Sequence, residues 1–347
     1  MKLKSVELAL PERLVTNDEV VDRIGYHSRE SFSGDLPVFT RHVLKLLRKC
    51  GADTRHWADH RALPIHYIAD AASAAIARST VPKREIDMVV YVGVDRGFYE
   101  PANAYFIADY LGLPSAQCFD VVDACNGWSR ALQICDALFQ AGQSRCALIV
   151  NGEFPMFEGG PVNPRLFQFS SVEQLRHRFP AFTLGECAAA TIVTAEADGA
   201  WEYHSSSHPR YADLCTVSCH GSPRYSLDSK RLNIDGPGFF VSFGQDMVSE
   251  GLEHAVDVLR RLSTPLDGIA AIFPHAVSQL AIDAAASSAG ARDRVYTVFP
   301  RTGNLISASV PAGLSLALGE GRLNKGDIAA GWVGSAGMVF SAYTFTA

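Results

Sequence analysis

Short apolar runs alternate with longer amphipathic stretches along the chain. Ile86–Val94 (IDMVVYVGV) is continuous and Val-rich, the pattern of a strand buried on both faces in a parallel sheet. Ala104–Leu111 then predicts a helix, Gln117–Ala124 a strand, and Trp128–Ala141 a long helix with Leu132, Ile134, Cys135 and Leu138 at apolar spacing. Cys146–Val150 and Glu186–Ala195 read as further strands. The second half repeats the scheme. Met247–Leu262 is amphipathic, with Val248, Leu252, Ala255, Val256, Leu259 and Leu262 on one face. Gly268–Phe273 predicts a strand, Ser278–Ala289 a helix, Val295–Phe299 a short strand and Pro311–Glu320 a helix, before closing strands at Ile328–Val333 and Val339–Phe345. Two similar halves, residues 1–197 and 198–347, with helices on both faces of mostly parallel sheets, predict an α/β layered architecture. The stretch from Pro155 to Phe182, rich in Phe, Pro, Gly and Arg, reads as an insertion over a site.

The chain has 347 residues, enough for two or three domains or one large layered unit. Lys+Arg number 31 and Asp+Glu 37, a net charge of −6, which argues against a nucleic-acid-binding surface or a polybasic membrane patch. No apolar run approaches the ~18 residues of a membrane span. Lys2, Lys4, Glu7, Glu12 and Arg13 interrupt the first twenty positions, so no signal peptide and a cytoplasmic location are expected. Eight cysteines without a CxxC pair then default to reduced, buried small hydrophobes. His204, His208, Cys215, Cys219 and His220 form the one metal-like cluster. Their HxxxH and CxxxCH spacings are not those of common structural zinc sites, so neither metal nor cofactor is expected.

Three segments carry chemistry. Cys125, in FDVVDACNGWSRALQI, falls at a strand-to-helix elbow, where helix-end N–H groups favour thiolate and can hold an oxyanion. His275 ends the strand-like run DGIAAIFPH, at the strand end where ligands and catalytic groups collect. Asn304 follows Gly303 in RTGNLISASVP, a turn opening a helix through small residues. Singly these read as a core cysteine, a structural histidine and turn chemistry. In that order, at such element ends, they make a set for thioester chemistry: a nucleophile and two donors for an enolate or oxyanion.

Over essentially its whole length the chain resembles the β-ketoacyl-acyl carrier protein synthase III group of the thiolase superfamily. The resemblance rests on DACNGWSRAL around Cys125, FPHAVSQLAIDAAA around His275, RTGNLISASVPAGLSLALGEGRLNKGD around Asn304, and the closing GWVGSAGMVFSAYTF. It implies a five-layered αβαβα duplication, an obligate homodimer, acyl transfer onto Cys125, and condensation with His275 and Asn304 activating a second thioester. The oxyanion hole it implies is the backbone N–H of Cys125 and one within Gly334–Ala336, placed at Ser335. The usual Pro-His-Gln-Ala-Asn is Pro274-His275-Ala276-Val277-Ser278 here, leaving Ser278 as second polar anchor, and Gly-Asp-Gly-Ala is Gly185-Glu186-Cys187-Ala188. The Trp, Arg and second Arg that contact coenzyme A align with Lys45, Lys49 and Leu280. Delivery of acyl thioesters by an acyl carrier protein is therefore expected. The family's Phe-Pro pair, which enters the partner's acyl tunnel, is Glu100-Pro101 here. A Glu there resembles the head-to-head, olefin-forming and α-pyrone-forming condensing enzymes, in which an intersubunit carboxylate is the base. The alternative for Glu100 is a surface residue before a turn proline. The implied function is condensation of two acyl chains. The rivals are ordinary decarboxylative synthesis and acyl transfer to an oxygen or nitrogen nucleophile.

Overall fold

A computed structural model of the chain describes residues 1–226 and 228–347. Its first sheet contains β1 (Lys2–Ala9), β2 (Met88–Val92), β3 (Gln117–Val121), β4 (Cys146–Glu153) and β5 (Cys187–Thr194), in the order β1-β5-β4-β2-β3. The second contains β6 (Glu202–Ser207), β7 (Ala271–Pro274), β8 (Ile328–Ser335) and β9 (Val339–Thr346), in the order β7-β8-β9-β6. Every residue of β2, β4 and β5 is buried, as strands covered on both faces must be.

The sheets are mixed rather than mostly parallel. The pairs β4–β2, β2–β3 and β7–β8 are parallel, whereas β1–β5, β5–β4, β8–β9 and β9–β6 are antiparallel. An antiparallel neighbour can be just as apolar as a parallel one when both faces are covered, so composition alone did not separate them. Val295–Phe299 is not a strand. Val295 makes a single bridge to Ile272, and Phe299–Thr302 is a helical turn with Pro300 in its first turn, where proline's fixed φ suits a helix.

Five layers follow from which faces are covered. Helices α3 (Pro64–Ser79) and α4 (Asn103–Tyr110) pack on the outer face of the first sheet. Helices α5 (Gly127–Gln140) and α8 (Ser309–Gly319) lie between the sheets; Trp128, Leu132, Val310 and Leu314 share one core with Val90, Ile149, Phe273 and Val333. Helices α6 (Gly244–Arg260) and α7 (Gln279–Ala289) close the outer face of the second sheet. The result is the thiolase-like αβαβα arrangement. Two N-terminal helices, α1 (Asn17–Ser28) and α2 (Leu36–Cys50), form a separate core with the 155–182 insertion. The Asp35 carboxylate caps α2 at the Val38 N–H, 2.9 Å away, and Gly51 ends it at φ +82°. Among the described residues no helix is long and apolar enough to cross a membrane.

Candidate active site

Cys125 stands in the short turn Ala124–Asn126 between β3 and α5. Ala124 has φ +44°, a left-handed conformation that costs a residue with a Cβ about 1–3 kcal/mol, so the surroundings must hold it. They do so from the second sheet. The Asn126 N–H donates to Ser335 Oγ at 3.1 Å, the Ser341 hydroxyl to Asn126 Oδ1 at 2.6 Å, and Asn126 Nδ2 to Asp123 at 2.8 Å. Gly127 lets the helix start lie against β2, because a Cβ there would fall 2.5 Å from Val92.

The thiol keeps some accessible surface but is surrounded by protein. Burial pushes its pKa well up, and Cys215 and Glu153 push the same way. The Ala336 N–H and the Ser335 hydroxyl approach the sulfur and offset part of this. The expectation that the elbow favours thiolate is therefore corrected: desolvation outweighs the helix end, and the resting group is a thiol. The backbone N–H facing the sulfur is that of Ala336, the last residue of the Gly334–Ala336 stretch.

His275 follows β7, its N–H held by the Trp332 carbonyl at 2.8 Å. The side chain is buried, with Nδ1 3.1 Å from Ser309 Oγ and Nε2 without a hydrogen-bond partner among the described residues. Burial lowers its pKa to about 4, against a smaller opposing effect of the Ile306 carbonyl, so the ring is neutral at ordinary pH. Asn304 is set by Gly303, where a Cβ would meet the Thr183 carbonyl at 2.4 Å and φ is +69°. The Asn304 N–H donates to the Thr183 carbonyl at 2.8 Å, and its carbonyl accepts from Gly185 at 2.9 Å. Its Oδ1 accepts the Ile306 N–H at 2.8 Å. That fixes the amide with oxygen turned inward and leaves the NH₂ as the free donor.

Cys125, His275, Asn304, Ser335 and Ala336 all line one cavity of about 1090 Å³. Its walls are mainly apolar, supplied by α6 (Met247, Val248, Leu252) and α7 (Ala281, Ile282, Ala285). A nucleophile, two fixed polar side chains and a backbone donor thus face a space of acyl-chain character.

Residues 259–346 match the family profile described as "3-Oxoacyl-[acyl-carrier-protein (ACP)] synthase III C terminal". The Beta-ketoacyl-[acyl-carrier-protein] synthase III of Rhodospirillum centenum is 28% identical over 342 residues, covering 94% of each chain. That of Bradyrhizobium is 26% identical over 340 residues, again 94% of each. A variant of Xanthomonas campestris OleA with bound lauric acid and lauroyl-CoA superposes with a TM-score of 0.80 at 22% identity, covering 100% of this chain and 98% of that one. The chain is synthase III-like, with the thiolase-like fold. The 3-oxoacyl-[acyl-carrier-protein] synthase III of Aquifex aeolicus superposes at 0.78, with 16% identity and 100% and 99% coverage.

In this synthase III-like chain the other sequence-derived residues sit as follows. Glu100 is exposed on a loop and does not line its own chain's cavity. Ser278 and Leu280 line the cavity, as does Lys49, while Lys45 does not. Of the aromatics expected over the site, only Phe179 lines the cavity. Phe167, Phe169 and Phe182 are fully buried against α1 and α2, and Phe157 is exposed. The insertion needed those rings for a core of its own. Its contribution to the cavity comes instead from Pro155, Pro161, Leu175 and Arg176. His208 stacks on His254 with ring centroids 3.6 Å apart, Cys215 lines the cavity, and among the described residues no three His, Cys, Asp or Glu side chains are grouped to hold a metal ion. Asp95 and Ser309 were not singled out from the sequence, and Cys215 only as part of the metal-like spacing. Asp95 had a signal: it directly follows a strand, at the carboxyl end where site residues collect.

Proposed function

We propose that this chain is a condensing enzyme that joins two acyl chains, holding the first as a thioester on Cys125. The observation that carries this is the convergence of Cys125, His275, Asn304 and the Ala336 N–H on one apolar cavity of about 1090 Å³. The Cys125 sulfur attacks the carbonyl of the incoming acyl thioester, and its own N–H with that of Ala336 receives the oxyanion. The carrier thiol leaves and takes the cysteine proton. The second thioester then places its carbonyl oxygen against the Asn304 NH₂ and His275 Nε2. The Ser309 hydroxyl lies 3.0 Å from the Ile306 carbonyl and 3.1 Å from Nδ1; when it turns from the carbonyl to donate to Nδ1, Nε2 carries the ring hydrogen. The enolate formed there attacks the Cys125 acyl carbon and expels the sulfur.

Three features support this over acyl transfer to an oxygen or nitrogen nucleophile. The Asn304 amide is locked with its donor side free, which enolate formation needs and simple transfer needs less. The apolar lining suits two hydrocarbon chains. OleA, similar in fold, is described with lauric acid and lauroyl-CoA bound, and substrates of that class fit here. Lys49 along the cavity suits the phosphate of a carrier arm, in keeping with delivery by an acyl carrier protein, while Arg176 is paired with Asp246 at 3.0 Å. The chain works in this reading as a cytoplasmic homodimer. Phe98, Tyr99, Phe106 and Val122 are exposed beside β3, an edge strand, and a second copy would cover them. Glu100 lies on the same surface and would reach a partner's cavity from there.

Product analysis tests the reading. The chain, given two unbranched acyl thioesters of different length without any malonyl donor, should yield β-keto products containing both chains. Products only from malonyl donors would favour the decarboxylative reaction. Acyl esters or amides would favour transfer.

A further inference from the structure

Condensation without decarboxylation needs a base, and the cavity contains a carboxyl group of its own chain. Asp95 follows β2 and lines the cavity together with Cys125, His275 and Asn304. It is paired with Glu153, the last residue of the neighbouring parallel strand β4. The pairing is reciprocal. Glu153 accepts the Val94 N–H at 3.2 Å, and Asp95 Oδ2 accepts the Phe154 N–H at 3.0 Å, so each carboxylate takes the backbone N–H beside the other. Asp95 Oδ1 receives no hydrogen bond from the described residues. Glu153 is fully buried and also accepts the N–H and hydroxyl of Ser307, three residues after Asn304. Among the described residues neither carboxylate forms a salt bridge; Arg96, next to Asp95 in the chain, is instead paired with Asp120 at 3.5 Å. With Glu153 fully buried and Asp95 half-buried beside it on the cavity wall, the two cannot both ionise at little cost. Burial holds both above the ordinary carboxylate range, and the charge of Asp95 raises Glu153 further. The pair therefore stores and releases one proton near neutrality, and an anionic malonyl group would meet it unfavourably.

We propose that Asp95 is the base that takes the α-proton of the second acyl thioester and returns it to the Cys125 thiolate. This rests on the condensing reading above and places the base in the same chain as the nucleophile rather than at Glu100 of a partner. In the step, the α-C–H bond breaks and its electron pair passes into the enolate held by Asn304 and His275, while Asp95 gains the proton. The enolate carbon attacks the Cys125-bound acyl carbon, a carbon–carbon bond forms, and the carbon–sulfur bond breaks. Asp95 protonates the released sulfur, so the proton lost from carbon ends on Cys125 and no co-reactant is required. Glu153 is a positioning residue that keeps the second carboxyl beside Asp95.

The test separates proton abstraction from condensation. In deuterated water, Cys125→Ala cannot be acylated but should still exchange the α-protons of a saturated acyl-coenzyme A. Adding Asp95→Asn should cut that exchange at least ~10²-fold. Asp95→Asn alone should acquire the acyl adduct on Cys125, which also shows that it folds, yet yield no condensed product. Asp95→Glu should recover part of the exchange. Should Asp95→Asn not fold, the Cys125→Ala exchange rate should rise with pH through neutrality. The groups around the pair are Tyr91, Arg96, Asp120, Cys125, Glu186 and Cys187, and a flat profile would overturn the proposal. Exchange that survives Asp95→Asn but is lost in Glu100→Gln would overturn it in favour of the partner's carboxylate, leaving the condensing reading intact. Failure of the parent chain to accept any acyl group on Cys125 would overturn both.

Discussion

At the scale of single residues, the polar groups differ in how much of their role the sequence reveals. Cys125, His275 and Asn304 were legible as candidates because each falls at an element end, where strand or helix periodicity no longer dictates the side chain. Their charge states were not, because those depend on what the rest of the chain folds around them. The thiol is raised by burial, and the imidazole is lowered to about 4 by the same cause. A ring neutral down to that value makes a specific prediction. In an NMR pH titration the imidazole signal lost in His275→Ala should not move near pH 6.5, the ordinary histidine value; a titration of that signal near 6.5 would contradict the neutral-donor role. His275→Ala should slow condensation about 10²–10³-fold while the Cys125 adduct still forms, as checked by single-turnover product formation.

At the scale of elements, the strands buried on both faces were readable as apolar runs, and the amphipathic helices that cover them by their spacing. The N-terminal helices α1, α2 and α3 and the edge strands β1 and β6 were not singled out. Their burial is partial and their partners lie far along the sequence: β1 pairs with β5 some 180 residues later. The Val295 bridge shows the opposite error, a β-favouring segment that packs as a turn. The Gly303–Asn304 turn decides the most at this scale, since its backbone bonds to Thr183 and Gly185 set the Asn304 amide. Gly303→Ala introduces a strained φ and a contact 2.4 Å from the Thr183 carbonyl. It should lower unfolding stability by about 1–3 kcal/mol in urea titration and cut condensation more than acylation. Unchanged stability would mean that the turn relaxes without cost.

At the scale of the whole molecule, the layered fold was legible from the repeat of strand and helix patterns, whereas the mixed strand directions and the inward packing of the insertion's phenylalanines were not. Both depend on long-range contacts that no local period encodes. Two predictions belong here. The exposed aromatic surface beside β3 should be covered by a second copy, so sedimentation equilibrium at micromolar concentration should give a dimer, and a monomer would contradict the homodimeric reading. The second concerns Glu186, which is buried yet accepts the Ala58 and Met156 N–H groups at 2.6 and 2.7 Å. Burial wins, and its pKa is pushed up from 4.5 to about 7. The folded chain therefore holds this proton more tightly than the unfolded chain. That contribution is fully present below about pH 4.5 and is lost as pH rises through about 7, a change of roughly 3 kcal/mol. The stability of the parent relative to Glu186→Gln should fall by that order between pH 4.5 and 8 in denaturant titrations; a pH-independent difference would contradict it. His275 acts in the opposite sense, its contribution lost as pH falls from 6.5 toward 4, and it cancels in this comparison.

The most direct measurement is peptide-mapped mass spectrometry of the chain after incubation with a single saturated acyl thioester. An acyl group should appear on Cys125, should be absent from Cys125→Ala, and should leave as a β-keto product when a second acyl thioester is added. Acylation confined to another cysteine such as Cys215, or an adduct on Cys125 that water alone removes, would contradict a condensing enzyme built on this thiol.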